Sequence, residues 1–150
     1  MSLENNSTQR RIYLADDDMD DRALFAEALS QVDPYAILTE AEDGIFLMDL
    51  LNNPNSRRPD IVFLDINMPR CNGMQCLEMI RGEDSIFKEL PVIILSTSSD
   101  PSAVQKAFDL GASFYVVKPA TYNEIKYFID ALIKFDWFSH MPKFADFRLL

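Results

Sequence analysis

Five short, continuous apolar runs divide this chain and restrict the folds that are open to it. They begin at Ile12, Ala36, Ile61, Val92 and Phe114 and read "IYLA", "AILT", "IVFL", "VIIL" and "FYVV". Runs that are apolar at every position, rather than at alternate positions, are typical of parallel strands covered on both faces. The sequence therefore predicts a sheet that is buried between two layers.

The stretches between these runs have the spacing of amphipathic helices. The spacing is clearest in the last stretch, where apolar residues lie three and four positions apart at Ile125, Phe128, Ile129, Leu132 and Ile133. It is also present over residues 24–32 and 104–108. A strand followed by a helix, five times over, predicts an α/β doubly wound domain with five parallel strands and right-handed crossovers.

Composition excludes several classes of partner. The chain has 150 residues, enough for one domain with a real core, and no apolar run approaches the roughly 20 residues that span a bilayer. A formal charge of −10 argues against nucleic acid, because phosphate backbones are bound by basic patches. Cys71 and Cys76 form no C-x-x-C motif, which indicates reduced thiols in a cytoplasmic protein. We expect neither a nucleic acid nor a membrane partner.

The ends of the first, third, fourth and fifth runs, where a doubly wound sheet places its ligands, are followed by polar residues suited to one site. Asp16 and Asp17 follow the first run, Asp65 the third, Ser96 the fourth and Lys118 the fifth. Carboxylates gathered at one edge need a cation, and an all-oxygen site suits Mg²⁺, which keeps several waters and accepts phosphate oxygens. Such a cation lets a carboxylate attack phosphorus by screening the charge on both groups, while a lysine and a hydroxyl hold the phosphoryl oxygens.

The remaining acids of "YLADDDMDD" have a simpler use. Asp18, Asp20 and Asp21 lie at the start of a predicted helix, where carboxylates cap free N–H groups and interact favourably with the helix dipole. We therefore assign capping to these three residues and metal binding to Asp16 and Asp17.

These motifs resemble those of response-regulator receiver domains over residues 10–134. The shared pattern is an acid pair after strand one, an Asp after strand three in "LDINMPRCNG", a hydroxyl residue after strand four and Lys-Pro in "GASFYVVKP". The resemblance implies a flavodoxin-like sheet with strand order 2-1-3-4-5. It extends to the stand-alone, phytochrome-associated type, with residues 1–9 a flexible N-terminus and residues 135–150 an aromatic tail without an output domain.

The resemblance implies a function in two-component signal transduction. Asp65 is expected to accept a phosphoryl group from a sensor histidine kinase or a phosphotransfer protein of a phosphorelay. Ser96 and Lys118 are expected to bind the phosphoryl oxygens. Thr97 and Ser98 are also hydroxyl residues, and a register error of one position would exchange Ser96 for its neighbour. The run "LPVIIL" before it favours Ser96.

The resemblance also implies the ligands of the magnesium ion and the fate of the phosphoryl group. Asp17, Asp65, the backbone carbonyl of Asn67 and, through water, Asp16 would hold Mg²⁺. Asn67 and Ser98 occupy the positions that tune hydrolysis in the family, and neither is an acid or a base. We expect a phosphoacceptor switch with self-phosphotransfer and slow autodephosphorylation, not a turnover enzyme.

Tyr115 corresponds to the aromatic residue that rotates in the family. An aromatic in a strand is also typical of plain core, so both interpretations stay open. The resemblance further implies a cis Lys118–Pro119 peptide, which an X–Pro bond can adopt at modest cost. The activated surface would be the face of the fourth helix, fifth strand and fifth helix, which would contact an unknown downstream protein or form a homodimer. Met68, Met74 and Met79 are expected to fill the core.

The C-terminal tail is rich in aromatic residues. They are Phe135, Trp137, Phe138, Phe144 and Phe147. They either fold back onto the last helix or pack in a dimer or against a partner, as large apolar exposure usually implies.

Two other functions compete with the receiver interpretation. Magnesium phosphohydrolases of the haloacid dehalogenase type have a D-x-D motif whose second acid transfers a proton, and here that position is Asn67. A degenerate receiver that binds partners without phosphorylation would have lost an acid, the nucleophile or the lysine. None of these has been lost, so the phosphorylatable switch is favoured.

Overall fold

The computed structural model describes residues 9–135, 137 and 147–149. The strands are β1 (Arg11–Ala15), β2 (Ile37–Ala41), β3 (Ile61–Asp65), β4 (Val92–Ser96), β5 (Phe114–Val117) and β6 (Arg148–Leu149). The helices are α1 (Met19–Val32), α2 (Gly44–Asn52), α3 (Gly73–Ile80), α4 (Pro101–Asp109) and α5 (Tyr122–Ile133). All pairings are parallel, in the order β2-β1-β3-β4-β5-β6. The predicted doubly wound fold and its order 2-1-3-4-5 are confirmed, and β6 was not predicted.

Each helix begins after a residue whose side chain accepts a hydrogen bond from the first turn. These N-cap residues are Asp18, Asp43, Asn72, Asp100 and Thr121. The first N–H groups of a helix have no partner within it, so these short polar side chains fix where each helix starts. The capping role predicted for Asp18 is confirmed.

The sheet lies between two helical layers, and alternate residues of a strand face opposite layers. In β3, Val62 and Leu64 pack on the side of α2, α3 and α4, whereas Ile61 and Phe63 pack on the side of α1 and α5. The Phe63 ring meets Phe25 of α1 edge-on, with 4.9 Å between centroids. Because both faces are covered, β3 and β4 are buried at every position, as their continuous apolar runs predicted.

Two expectations about burial were wrong. Strand β2 is buried only at Ala41, because it forms one edge of the sheet and is covered less completely. Met68 and Met74 are core residues as expected, each 7% exposed, but Met79 is 46% exposed. The buried face of α3 is formed by its other apolar residues, which leaves position 79 on the outer face.

The two cysteines are free thiols, and both are buried in the layer of α2 and α3. The sulfur atoms of Cys71 and Cys76 lie 3.4 Å apart. Burial raises the pKa of the Cys76 thiol to about 12, so this thiol stays protonated at neutral pH. Among the described residues, no helix has the length and apolar character needed to cross a bilayer.

The described part of the aromatic tail returns to the domain and packs against β5. Phe147 is 1% exposed and lies against Phe108 and Tyr115, with ring centroids 5.2 and 6.4 Å away. Phe135 and Trp137 meet Phe114 on the opposite face at 5.3 and 5.5 Å. Phe135 and Trp137 pack in the cluster that contains α5, as the fold-back interpretation expected, whereas Phe147 packs against α4 and β5 and not on the last helix. The expectations for residues 1–8, Phe138 and Phe144 concern parts of the chain outside the described residues.

Strand β6 extends the sheet beyond β5. It pairs in parallel with β5, with Arg148 beside Tyr115 and Leu149 beside Val116. An edge strand exposes a row of unpaired N–H and C=O groups, and β6 covers that edge for two residues. A two-residue strand has no periodicity to detect, so the sequence offered no signal for it.

Replacing Phe147 by alanine tests whether the tail contributes to folding. The variant leaves a cavity over Tyr115, and we expect the free energy of unfolding to fall by about 3 kcal/mol. Tyr127→Ala is the control, since Tyr127 is 70% exposed, and its effect should stay within about 0.5 kcal/mol. Urea unfolding followed by circular dichroism measures both. Equal stability of the two variants would show that the tail does not hold Phe147 in the core.

Candidate active site at the carboxyl edge of the sheet

Four strands deliver the polar residues of the site to one edge of the sheet. Asp65 is the last residue of β3 and Ser96 the last of β4, while Asp16 and Lys118 directly follow β1 and β5. Backbone hydrogen bonds hold the two flanking residues in place. The Asp16 N–H donates to the Ala41 carbonyl at 3.0 Å, and the Lys118 N–H donates to the Ser96 carbonyl at 2.7 Å. The sheet thus brings together residues about 100 positions apart in the chain.

Three carboxylates form a compact oxygen cluster at this edge. One oxygen each from Asp16, Asp17 and Asp65 can be chosen so that all lie within 4.8 Å of one another. Asp16 and Asp65 are only 2% and 4% exposed, whereas Asp17 is open to solvent. Carboxylates this close repel, so a divalent cation with a preference for oxygen ligands fits this donor set. The Asn67 carbonyl stays a predicted ligand.

The Lys118 ammonium joins the carboxylates of the site. Its nitrogen lies 2.9 Å from Asp21 Oδ2, 3.0 Å from Asp16 Oδ2 and 3.3 Å from Asp65 Oδ2. Burial alone would lower the pKa of Lys118, but hydrogen bonds to Asp21 and Asp16 and the charge of Asp65 outweigh it and raise that pKa. The lysine is therefore a fixed positive charge whose three N–H donors all point at carboxylates.

Asp21 is the residue of this site that sequence reasoning missed. It was assigned to helix capping, yet Asp18 alone accepts the N–H groups of Asp20 and Asp21, at 2.9 and 3.2 Å. The Asp21 carboxylate is thus free to reach Lys118, and its assignment as a cap was wrong. No pattern in the sequence could have shown this contact, because it depends on how closely α1 lies to the loop after β5.

Burial governs the charge of Asp65. Removal from water raises the pKa of Asp65 to about 6, the Lys118 charge opposes this shift, and the Asp16 charge adds to it. The Asn67 N–H donates to Asp65 Oδ1 at 3.3 Å and favours the ionised form. At neutral pH the carboxylate is mostly ionised, as a nucleophile requires.

The loop after β3 is held against the nucleophile position. Gly73 packs so closely that an added Cβ would lie 2.3 Å from the Asp65 carbonyl oxygen, so no larger residue fits there. Arg70, with a φ of 67°, pairs with Asp43, the N-cap of α2. The hydrogen bond from the Phe46 N–H, and after it the one from the Arg70 guanidinium, lower the pKa of Asp43. These contacts fix the backbone on which Asn67 lies.

Ser96 and Tyr115 are linked through the loop after β4. Ser96 is 1% exposed and ends β4 at this edge of the sheet, whereas Thr97 is open to solvent. The Ser98 N–H donates to Ser96 Oγ at 3.0 Å, and the Tyr115 hydroxyl donates to the Ser98 carbonyl at 2.7 Å. Tyr115 is completely buried, as its core interpretation requires. Its rotation stays a prediction.

The expectation of a cis Lys118–Pro119 bond was wrong. No peptide bond among the described residues is cis. The trans form of an X–Pro bond is preferred by about 0.5–1 kcal/mol. With the trans bond, the Lys118 nitrogen still lies 3.3 Å from Asp65 Oδ2.

The sequence matches the family model described as "Response regulator receiver domain" over residues 12–130. This chain belongs to that family. Receiver domains take phosphoryl groups from histidine kinases and act as phosphoacceptor switches. The match covers β1 to α5 and therefore every residue of the site.

Curated relatives share this receiver domain within chains of different length. Chemotaxis protein CheY1 of Helicobacter pylori is 31% identical over 117 residues, covering 77% of this chain and 90% of CheY1. The CAI-1 autoinducer sensor kinase/phosphatase CqsS of Vibrio cholerae is 29% identical over 118 residues. That match covers 79% of this chain but only 16% of CqsS.

Solved structures include phytochrome-associated response regulators. The phosphorylated cyanobacterial phytochrome response regulator RcpA is 28% identical with a TM-score of 0.78, covering 91% of this chain and 100% of RcpA. RPA3017 of red-light signalling in R. palustris is 27% identical, with a TM-score of 0.77 and coverages of 89% and 99%. Response regulator Rcp1, solved with bound Mn²⁺, is 26% identical, with a TM-score of 0.74 and the same coverages. Rcp1 is thus a structurally similar protein that holds a divalent cation.

The pH dependence of stability tests the electrostatics of this receiver site. The pKa of Asp65 is about 6 in the fold and 3.8 ordinarily, so its charge destabilises the fold above pH 6, and protonation removes that cost as pH falls toward 4. We expect Asp65→Asn to raise the free energy of unfolding by about 1–3 kcal/mol at pH 7 without metal. The gain should vanish near pH 4.

Urea unfolding across this pH range measures the effect, with the exposed Asp84→Asn as control. Asp84→Asn removes the same charge far from the site and should give no pH-dependent gain. A variant Asp65→Asn that is no more stable than wild type at pH 7 would show that burial does not raise the pKa of Asp65.

Proposed function

We propose that this receiver domain accepts a phosphoryl group on Asp65 in a Mg²⁺-dependent reaction and thereby switches a partner-binding surface. The observation that carries the proposal is the meeting of the Lys118 ammonium with the carboxylate cluster around Asp65. The donor would be the phosphohistidine of a sensor histidine kinase or of a phosphotransfer protein. The setting would be the cytoplasm.

The residues of the site divide the chemistry of the transfer. An Asp65 carboxylate oxygen forms a bond to phosphorus while the bond from phosphorus to the donor nitrogen breaks. Lys118 binds a phosphoryl oxygen through its charge, and Ser96 Oγ donates to another. Asp17, Asp65, the Asn67 carbonyl and, through water, Asp16 would hold Mg²⁺. When bound, this ion supplies charge that screens the nucleophile from the phosphoryl oxygens.

The change of surface would travel from Ser96 to β5. A phosphoryl oxygen on Asp65 would accept from the Ser96 hydroxyl, and movement of Ser96 Oγ toward it would displace the bond in which that oxygen accepts from the Ser98 N–H. Ser98 also holds the Tyr115 hydroxyl, so movement of this loop reaches the face of α4, β5 and α5. That face would contact a downstream protein or form a homodimer, in which the tail could take part. The bias between the two arrangements is a population shift.

The phosphohydrolase alternative has less support from the geometry. Its general acid would occupy position 67, where this chain has an exposed Asn that cannot transfer a proton. Of the neighbouring carboxylates, Asp16 and Asp21 already bind the Lys118 ammonium. Slow autodephosphorylation therefore fits the site better than turnover.

Acetyl phosphate with Mg²⁺ tests the proposed function directly. We expect intact-mass spectrometry to detect one added phosphoryl group on wild type and on Asp84→Asn, and none on Asp65→Asn. Omitting Mg²⁺ should suppress the product. If wild type gains no phosphoryl group while remaining folded, the acceptor function is wrong and the phosphorylation-independent binding module takes its place.

A second test addresses the cation alone. A ligand that binds only the folded state stabilises it by about 2.7 kcal/mol at one hundred times its Kd. We expect Mg²⁺ to raise the Tm of wild type and of Asp20→Ala, but not that of Asp17→Ala. Asp17 is the exposed member of the cluster, so its removal disturbs the fold least. An equal rise for all three proteins would place the cation elsewhere.

A further inference from the structure

Asp21 differs from the other two partners of Lys118. Asp16 and Asp65 belong to the oxygen cluster that fits a divalent cation, whereas Asp21 lies outside it. Yet Asp21 makes the shortest contact, with 2.9 Å between its Oδ2 and the Lys118 nitrogen. A cation in the cluster would bind two of the three partners of Lys118, Asp16 and Asp65, but not Asp21.

The start of α1 holds the Asp21 carboxylate beside Lys118. Its backbone N–H is bound by Asp18 in the first turn of α1, so the start of the helix is fixed under it. Its side chain is 41% exposed, whereas that of Lys118 is 18% exposed. Asp21 and Lys118 also line one cleft between α1 and the loop after β5. The backbone of a capped helix turn is more rigid than that of a loop, so a carboxylate on it is held in a more constant position.

We propose that Asp21 is a positioning residue that holds the Lys118 ammonium beside Asp65 while the cation occupies the carboxylate cluster. This inference rests on the proposed phosphoacceptor function. Without Asp21, a long flexible side chain would have to be ordered each time a phosphoryl group arrives, at a cost in side-chain entropy. The Asp21 carboxylate accepts a hydrogen bond from the third N–H of the Lys118 ammonium and so fixes the ammonium in advance.

Positioning and simple charge repulsion predict opposite results when Asp21 is removed. Asp21 is an anion near a site that binds anions, so a purely repulsive effect would make its loss strengthen anion binding. A positioning effect makes its loss weaken anion binding, because the lysine becomes mobile. The sign of the change therefore decides between the two.

The experiment measures the affinity of the full chain for beryllofluoride, a mimic of the phosphoryl group, in saturating Mg²⁺ by calorimetry. The variants are Asp21→Ala and Asp21→Glu, with Asp20→Ala as the matched control. Asp20 lies in the same helical turn, carries the same charge and is exposed. We expect Asp21→Ala to bind beryllofluoride about three- to tenfold more weakly, the effect of losing one partly exposed charge-assisted hydrogen bond.

Two further readouts separate positioning from damage to the fold. Mg²⁺ affinity should be the same in Asp21→Ala and Asp20→Ala, because neither residue belongs to the cation cluster. Asp21→Glu, which keeps the carboxylate on the same helix, should restore most of the beryllofluoride affinity. Equal or tighter beryllofluoride binding by Asp21→Ala would overturn the inference. So would a parallel loss of Mg²⁺ affinity or a failure of Asp21→Glu to rescue.

The failure of this inference can be told apart from failure of the proposed function. If wild type binds no beryllofluoride in Mg²⁺, the phosphoacceptor function itself is wrong. If wild type binds it and Asp21→Ala binds it equally well, Asp65 is still the acceptor, and Asp21 has no part in placing Lys118.

Discussion

The Lys118 ammonium forms ion pairs with Asp16, Asp21 and Asp65 and so offsets their mutual repulsion at the carboxyl edge of the sheet. Two unit charges 4 Å apart interact by about 4 kcal/mol at an effective dielectric of about 20. Three carboxylates around one site therefore repel strongly, and burial adds a desolvation cost at Asp65. The single ammonium offsets only part of this. The excess negative charge that remains would favour a divalent cation at the cluster.

The sheet brings these charges together from distant parts of the chain. Asp16 and Lys118 are separated by 102 positions, and Asp65 and Lys118 by 53. Parallel strands end at a common edge, so residues that follow different strands become neighbours without any local signal. The apolar layers on both faces exclude water from the strands and leave this edge as the opening. Packing therefore sets both where the site lies and how far Asp65 is desolvated.

The sequence was most informative where one strong physical rule acted alone. Continuous apolar runs predicted the buried strands, and the rule for strand ends predicted which residues would meet. The failures came where packing decides. Asp21 turned from a presumed cap into a partner of Lys118, because Asp18 already caps α1. Met79 lies on the outer face of α3, and β6 is too short to leave a pattern. Lys118–Pro119 kept the trans form that X–Pro bonds ordinarily prefer.

The link from Ser96 to the tail suggests how charge at Asp65 could change a distant surface. Ser96, Ser98 and Tyr115 are joined by two hydrogen bonds, and the Tyr115 ring lies against Phe147. Tyr115 is fully buried and its hydroxyl donates to the Ser98 carbonyl, so rotation of its ring would break that hydrogen bond. Under the proposed function the loop would take two arrangements, and a phosphoryl group on Asp65 would bias it through the Ser96 hydroxyl. Because the Phe147 ring lies against the Tyr115 ring, any rotation of Tyr115 would also have to break that contact.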